Sequence, residues 1–226
     1  KNDGATVTWF QNPGPKLARE LSKWRAIPLA DASWIMSLTN LSTPDAEFLL
    51  YSDRKPDSQG IYLIPLLEDS PWFSTPVRIA ASEQEVMFLD LAHLDDDELL
   101  DIAVAIRPNR ISVFYQPESP LSPWVDSADL DPLLSDHYGT AKAVRIGDLD
   151  GDDLPDFAIS CERANGRREG AFVSNLHSEF TPVSGPEGVK FDHIELVDLD
   201  EDGDLDFLTT EESKGLGVIW YENPLR

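Results

Sequence analysis

Cysteine is almost absent from this chain. Cys161 stands alone among 226 residues, so no disulfide framework holds the fold, and a small buried residue at a strand end is its reading rather than a nucleophile. Basic residues are scarce as well. Lys and Arg total 18 against 42 Asp and Glu, a net charge of −24. So acidic a surface argues against nucleic acid and anionic membrane as partners, and it suits a protein that carries bound cations. No apolar run approaches the ~18 residues of a membrane span, and Lys1-Asn2-Asp3-Gly4 does not open a signal peptide. Motifs of catalysis are missing too: there is no G-x-S-x-G, no H-E-x-x-H, no zinc spacing and no phosphate loop. The histidines (His93, His137, His177 and His193) are scattered. His137-Tyr138 could serve as an acid/base pair, but a loop histidine is usually only solvated, and no catalytic residue is assigned.

The abundant residue is aspartate, and it is placed in loops. Asp198, Asp200, Asp202 and Asp206 occupy the first, third, fifth and ninth positions of one stretch, with Gly203 sixth, where the turn asks for a backbone angle that Gly accepts. Calcium takes six to eight oxygens, and such a loop can wrap them around the ion. An EF-hand would place Glu at the twelfth position and then enter a helix. Here that position is Thr209, inside the strand-forming run Phe207-Leu208-Thr209-Thr210, so the loop belongs to a β-structure. Asp148, Asp150, Asp152 and Asp156 repeat the pattern with Asp153 sixth, a residue type that tolerates the left-handed conformation. A weaker copy, Asp95, Asp97 and Asp101, begins with His93, a poor calcium ligand. The stretch Thr39 to Glu47 has lost the pattern, so ordinary turn hydrogen bonds should close it.

These loops recur. The acidic residues that precede each apolar run (Glu47, Asp101, Asp156, Asp206) are about 50–55 residues apart, and an aromatic strand follows each at the same phase. Val7-Thr8-Trp9-Phe10-Gln11-Asn12-Pro13 and Val218-Ile219-Trp220-Tyr221-Glu222-Asn223-Pro224 are nearly one phrase. Each period reads as four short strands, a to d, with the acidic loop between a and b. That predicts an all-β fold, a β-propeller of four-stranded blades spanning residues 1–226 as a single domain. Its repeats centre near 39–47, 93–101, 148–156 and 198–206, with a partial blade at the N-terminus. Either N-terminal strands close the ring or the chain is a fragment of a larger propeller. A β-sandwich is the alternative, but nothing in a sandwich requires one loop at nearly constant spacing. Trp9, Trp220 and Tyr221 read as packing residues.

The repeats resemble FG-GAP or VCBS-type repeats, most specifically over Asp148 to Asp156, Asp198 to Asp206 and Val218 to Pro224. The resemblance implies a calcium-loop propeller, usually exported (extracellular, cell-surface or periplasmic), serving recognition of a glycan or protein, or scaffolding. Polysaccharide-active enzymes, lyase or hydrolase, are built on the same scaffold and remain the alternative, as does a purely structural domain of a larger surface protein. Superposing the repeats brings Asp53, Arg54, Arg107, Glu162, Arg163, Glu211 and Glu212 to equivalent strand ends, where they are expected to gather at one mouth as a ligand site. If these charges are exposed, Arg107→Ala should leave the melting temperature nearly unchanged.

Overall fold

Short β-branched and aromatic runs separated by Gly, Pro and Asp turns favour local antiparallel pairing, and the chain folds as a succession of such meanders. A computed structural model describes residues 4–69, 72–127, 138–164, 170–175 and 180–224. His137, His177, Glu179 and the opening Lys1 to Asp3 lie outside the described residues. Strand β1 (Ala5–Gln11) pairs with β2 (Arg25–Ala32). A second sheet runs β3 (Ile35–Ser42), β4 (Glu47–Asp53), β5 (Gly60–Leu66), β6 (Val77–Ala80), and a third β7 (Val86–Ala92), β8 (Asp101–Ile106), β9 (Arg110–Tyr115), β10 (Val125–Asp126). The fourth contains β11 (Thr140–Gly147), β12 (Asp156–Glu162), β13 (Ala171–Asn175) and β14 (Thr181–Pro182), and the fifth β15 (Phe191–Val197), β16 (Asp206–Glu211) and β17 (Gly217–Tyr221). Sequence order is spatial order in every sheet. Five separate sheets replace the two of a sandwich, so that alternative is set aside. Among the described residues no helix is long and apolar enough to cross a membrane.

In the second to fifth sheets the second strand is the most buried. Strand β8 (DIAVAI) and strand β12 (DFAISCE) are covered along their whole length, which is why their sequences are continuous rather than alternating. Each lies between two neighbouring sheets. Leu50, Leu63 and Ile79 of the second sheet meet Val86, Ile102 and Val104 of the third, and Phe157, Ile159 and Phe172 of the fourth meet Met87, Ala103 and Val113. Phe191, Ile194 and Phe207 close against Ala143, Ala158 and Ala171, where small residues let the fifth sheet approach the fourth. Cys161 is fully buried in one of these layers, as its sequence reading requires.

Neighbouring sheets also touch along their first strands, β3 with β7, β7 with β11 and β11 with β15. Each of these four strands carries a register break near its start, between Ile35 and Leu38, Val86 and Leu89, Ala141 and Ala143, and Phe191 and Ile194. An extra residue there frees backbone groups and re-aims side chains. Hydroxyls on the second strands take up the freed groups: Ser52 donates to the Met87 carbonyl at 3.1 Å, Ser160 to that of Asp192 at 2.5 Å, and Thr209 to that of His193 at 2.8 Å. The first two of these bonds join one sheet to the next.

Candidate functional site

The acidic loops sit where the first strand of a sheet turns into the second. Their backbones take the angles the sequence calls for, with Gly203 at φ 99° and Asp153 at φ 65°; the fourth positions, Gly151 (φ 80°) and Glu201 (φ 64°), are left-handed as well. Amide donors hold the first carboxylate in place: Asp198 accepts from Asp202 and Gly203 at 3.1 Å each, and Asp148 from Gly151 at 2.7 Å, Asp152 at 3.2 Å and Asp153 at 3.0 Å. Oxygens of Asp198, Asp200 and Asp202 lie within 4.8 Å of one another, as do those of Asp148, Asp150 and Asp156. Both triplets can supply oxygens to one hard cation.

The ninth residue has a second role that spacing alone did not disclose. Asp206 accepts from the amides of Leu199 (3.0 Å) and Asn223 (2.9 Å), and Asp101 from those of Leu94 (3.1 Å) and Gln116 (2.9 Å). Asp156 takes the Leu149 amide at 2.9 Å. This carboxylate staples its loop to the strand that follows, whatever else it binds. Asp204, seventh in its loop and not among the sequence candidates, has both carboxylate oxygens buried with no partner. Burial and the charges of Asp202, Asp206 and Asp200 push its proton affinity up. Carboxylate oxygens without a donor are costly to keep charged, so Asp204, although outside the triplet of Asp198, Asp200 and Asp202, is a group a cation in that loop would relieve. The every-second-residue run of Asp from 198 to 206 was the available signal.

The third loop is closed from within. His93 Nδ1 meets the Leu99 carbonyl at 2.8 Å, the Asp97 amide donates to Asp95 at 2.9 Å, and the Leu99 amide to Asp97 at 2.7 Å. The stretch from Thr39 to Glu47 is likewise closed by turn bonds, between Thr43 and Ala46.

At the opposite ends of the second strands, charge from successive sheets meets in one row. Arg54 pairs with Glu85, Glu85 also with Arg107 (3.2 Å), Arg107 with Glu162, Glu162 with Lys142 (3.4 Å), and Lys142 with Asp192 (3.4 Å). Arg54 lies over the Trp34 ring at 4.4 Å. Arg163 stands beside Arg107, exposed and with a left-handed backbone (φ 59°), an uncommon angle for a large side chain. Lys190 pairs with Glu212 close to Lys142. Glu85, Lys142 and Asp192 were not singled out from sequence. Lys142 and Asp192 fall within the register breaks, which a repeat alignment cannot see.

Asp53 and Glu211 sit at the equivalent strand ends but face backbone. Asp53 accepts from Ser33 (2.7 Å), Trp34 (3.0 Å) and Lys55 (3.2 Å), and Glu211 from Val189, Lys190 and Ser213 (3.1 Å each) and Lys214 (2.7 Å). The expectation of an exposed Arg107 is corrected. Its side chain is 15% exposed and that of its partner Glu162 is 6% exposed. Burial, with Arg54 and Arg163 nearby, pulls the Arg107 pKa down against the pull of Glu85. Breaking a buried pair by removing one partner costs about 3–5 kcal/mol, so Arg107→Ala should unfold at markedly lower denaturant; the Lys142–Glu162 contact puts the loss at the lower end of that range. A urea melt checks it.

Further along the first strands a cavity of about 390 Å³ spans β3, β7, β11 and β15. Arg145 fills one side, donating to Asp90 (2.9 Å), the Ile194 carbonyl (2.9 Å) and Glu195 (3.0 Å), while His193 Nε2 meets Glu195 at 2.7 Å. Against burial, which pushes Glu195 up, His193 and Arg145 hold it below the usual carboxylate range. No protein-family model and no curated protein matches the chain.

Proposed function

We propose that this chain is a calcium-stabilised recognition module of the β-propeller kind, similar to FG-GAP or VCBS repeats, exported from the cell, and that it captures an anionic group of a glycan or protein on the face bearing Arg163. Three consecutive four-stranded meanders and a three-stranded one, touching along their first strands and each with the same register break, support the propeller reading. The two carboxylate triplets and the unpartnered Asp204 support calcium in the Asp148 and Asp198 loops.

The observation that carries the recognition reading is the gathering of cations. Arg54, Arg107, Arg163, Lys142 and Lys190 are five of only 18 basic residues in a chain of net charge −24, and they meet on one face. Neighbouring carboxylates fix four of them by ion pairs, while Arg163 is exposed beside Arg107. A planar guanidinium over such a row suits a sugar acid or a carboxylate side chain. Titration with an oligogalacturonide, and in parallel with a polyglutamate peptide, tests this. Binding of one of the two should weaken at least tenfold in Arg163→Glu, with the melting temperature nearly unchanged because the residue is exposed. If the unaltered chain binds neither, or the variant binds equally well, the assignment fails.

The polysaccharide-active alternative has one observation in its favour, the His193–Glu195 pair beside Arg145 in the cavity of the first strands. Release of new reducing or unsaturated ends, abolished by His193→Ala, would decide for it.

A further inference from the structure

The register breaks of β3, β7 and β15 open onto one cavity. They contain Met36 and Ser37, Phe88, and His193, and each of these residues lines the space of about 390 Å³ between the first strands. A break of this kind gives up pairing in its own sheet to re-aim a side chain, and such breaks collect beside sites. The walls come from β3, β7, β11 and β15, and none comes from β1 or β17. Trp220 of β17, 42% exposed and therefore a packing residue on one side only, takes no part in it. The volume lies within the range of about 300–1,000 Å³ that holds small ligands.

Its walls are of two kinds. Met36, Leu38 and Phe88 supply apolar surface, with Leu38 56% exposed. The polar groups are joined through Arg145, which donates to Asp90 of β7 and to the Ile194 carbonyl and Glu195 of β15. The Ile146 amide fixes Asp90 at 2.9 Å, and the Leu89 amide donates to Ser37 of the neighbouring sheet at 3.0 Å. These cross-sheet bonds leave a ligand little to order. His193 Nδ1 is buried with no partner, while Nε2 meets Glu195 at 2.7 Å. Asp90 and Glu195 outnumber Arg145, the one permanent cation of the lining, and neither carboxylate belongs to an acidic loop. The Arg145 fork is already engaged, so an anion finds no donor there. The Glu195 side chain is 54% exposed and can take a cation.

We propose that this cavity binds a hexosamine residue of a sugar chain, with the apolar face of the ring on Leu38 and Phe88 and the ammonium group at Glu195. A pyranose has an apolar ring face and a rim of hydroxyls, which matches apolar walls beside Ser37 and the unpaired His193 nitrogen. An alkylamine lacks the hydroxyls, and a uronate would set a third carboxylate beside Asp90 and Glu195. The site does not rest on the Arg163 reading. Unlike the polysaccharide-active alternative, it requires no bond to break.

The test is calorimetric titration of the full chain in millimolar calcium at about pH 7, where an amine of this kind is largely protonated. The probes are a short glucosamine oligomer, its N-acetylated form and a galacturonic acid oligomer. The glucosamine oligomer should bind about tenfold more tightly than the acetylated one, and the acid should not displace it. Glu195→Gln removes the charge but keeps the shape of an exposed side chain, and it should erase the preference for the free amine. Leu38→Arg, also at an exposed position, should abolish binding by filling the cavity and reversing its charge. Both variants should melt nearly as the unaltered chain does. A chain of net charge −24 attracts any cationic oligomer weakly, and such attraction ignores both changes. Absence of binding, binding that survives both variants, or no preference for the free amine in the unaltered chain overturns the inference. So does displacement by the acid, or loss of binding in Arg163→Glu, which would put the sugar on the other site. Release of new reducing ends from the oligomer, abolished by His193→Ala, overturns it as well, since the His193–Glu195 pair would then be catalytic.

Discussion

If calcium occupies the two acidic loops, chelation should lower the melting temperature by about 10–20 °C. An ion that binds only the folded chain contributes roughly 2.7 kcal/mol per site at a hundredfold excess over Kd, and about 2–4 °C accompanies each kcal/mol in a domain of this size. Two loops set the range. Without the ion, the Asp198 loop holds mutually repelling carboxylates, and burial with Asp202 nearby pushes Asp200 up as it does Asp204. Asp204→Asn therefore acts in opposite directions in the two states. It raises the melting temperature of the chelated protein, where it removes a buried unpaired charge, and lowers that of the loaded protein, where it removes a donor. Magnesium rescues poorly, because it demands a tighter octahedral shell. Differential scanning calorimetry in chelator, calcium and magnesium reads all three. A variant effect of one sign in both states would remove Asp204 from the cation site.

The second large effect belongs to a residue that contacts neither cation nor ligand. Burial alone would push Glu211 up, but the amides of Val189, Lys214, Lys190 and Ser213 hold its pKa at about 2 against an ordinary 4.5. The folded state therefore prefers the ionised form. The stability this gives is fully present above about pH 4.5 and is lost as pH falls toward 2. Its size is about 3–3.5 kcal/mol, since the pKa falls from 4.5 to about 2 and each pH unit is worth roughly 1.4 kcal/mol. Glu211→Gln should cost that much at pH 7 and almost nothing near pH 2, flattening the acid limb of the stability curve. Urea melts from pH 2 to 7 check it. A difference between the two proteins that does not change with pH would mean that packing, not charge, holds this corner.

The strand runs and acidic loops were legible because they rest on local chemistry. Gly203 and Asp153 announce left-handed backbone, and the unbroken apolar runs after Asp101 and Asp156 announce strands covered on both faces. Strand ends ahead of Arg54, Arg107 and Arg163 could be superposed because the repeat length is nearly constant. What spacing could not supply was the direction of a side chain. Asp53 occupies the same repeat position as Arg107 and Glu162, and Glu211 lies one residue before it, yet both turn toward backbone amides, since the loops beside them present unpaired donors. The register breaks carry Lys142 and Asp192 into the ion-pair row, and a one-residue insertion in a strand leaves no mark on composition. Of the two-residue last strands, β14 falls within the weak run Phe180-Thr181-Pro182-Val183 that closes its repeat, whereas β10 carries too little pattern to be placed from sequence, although Trp124 marks where it begins.

The measurement that tests the account most directly is calorimetric titration of calcium into the chelated chain, repeated with Asp200→Ala. The account predicts two ions per chain, with one lost in the variant while the Asp148 loop keeps its own. No heat in the unaltered protein, or a titration unchanged by Asp200→Ala, would contradict it and leave the acidic loops as turns closed by their own hydrogen bonds.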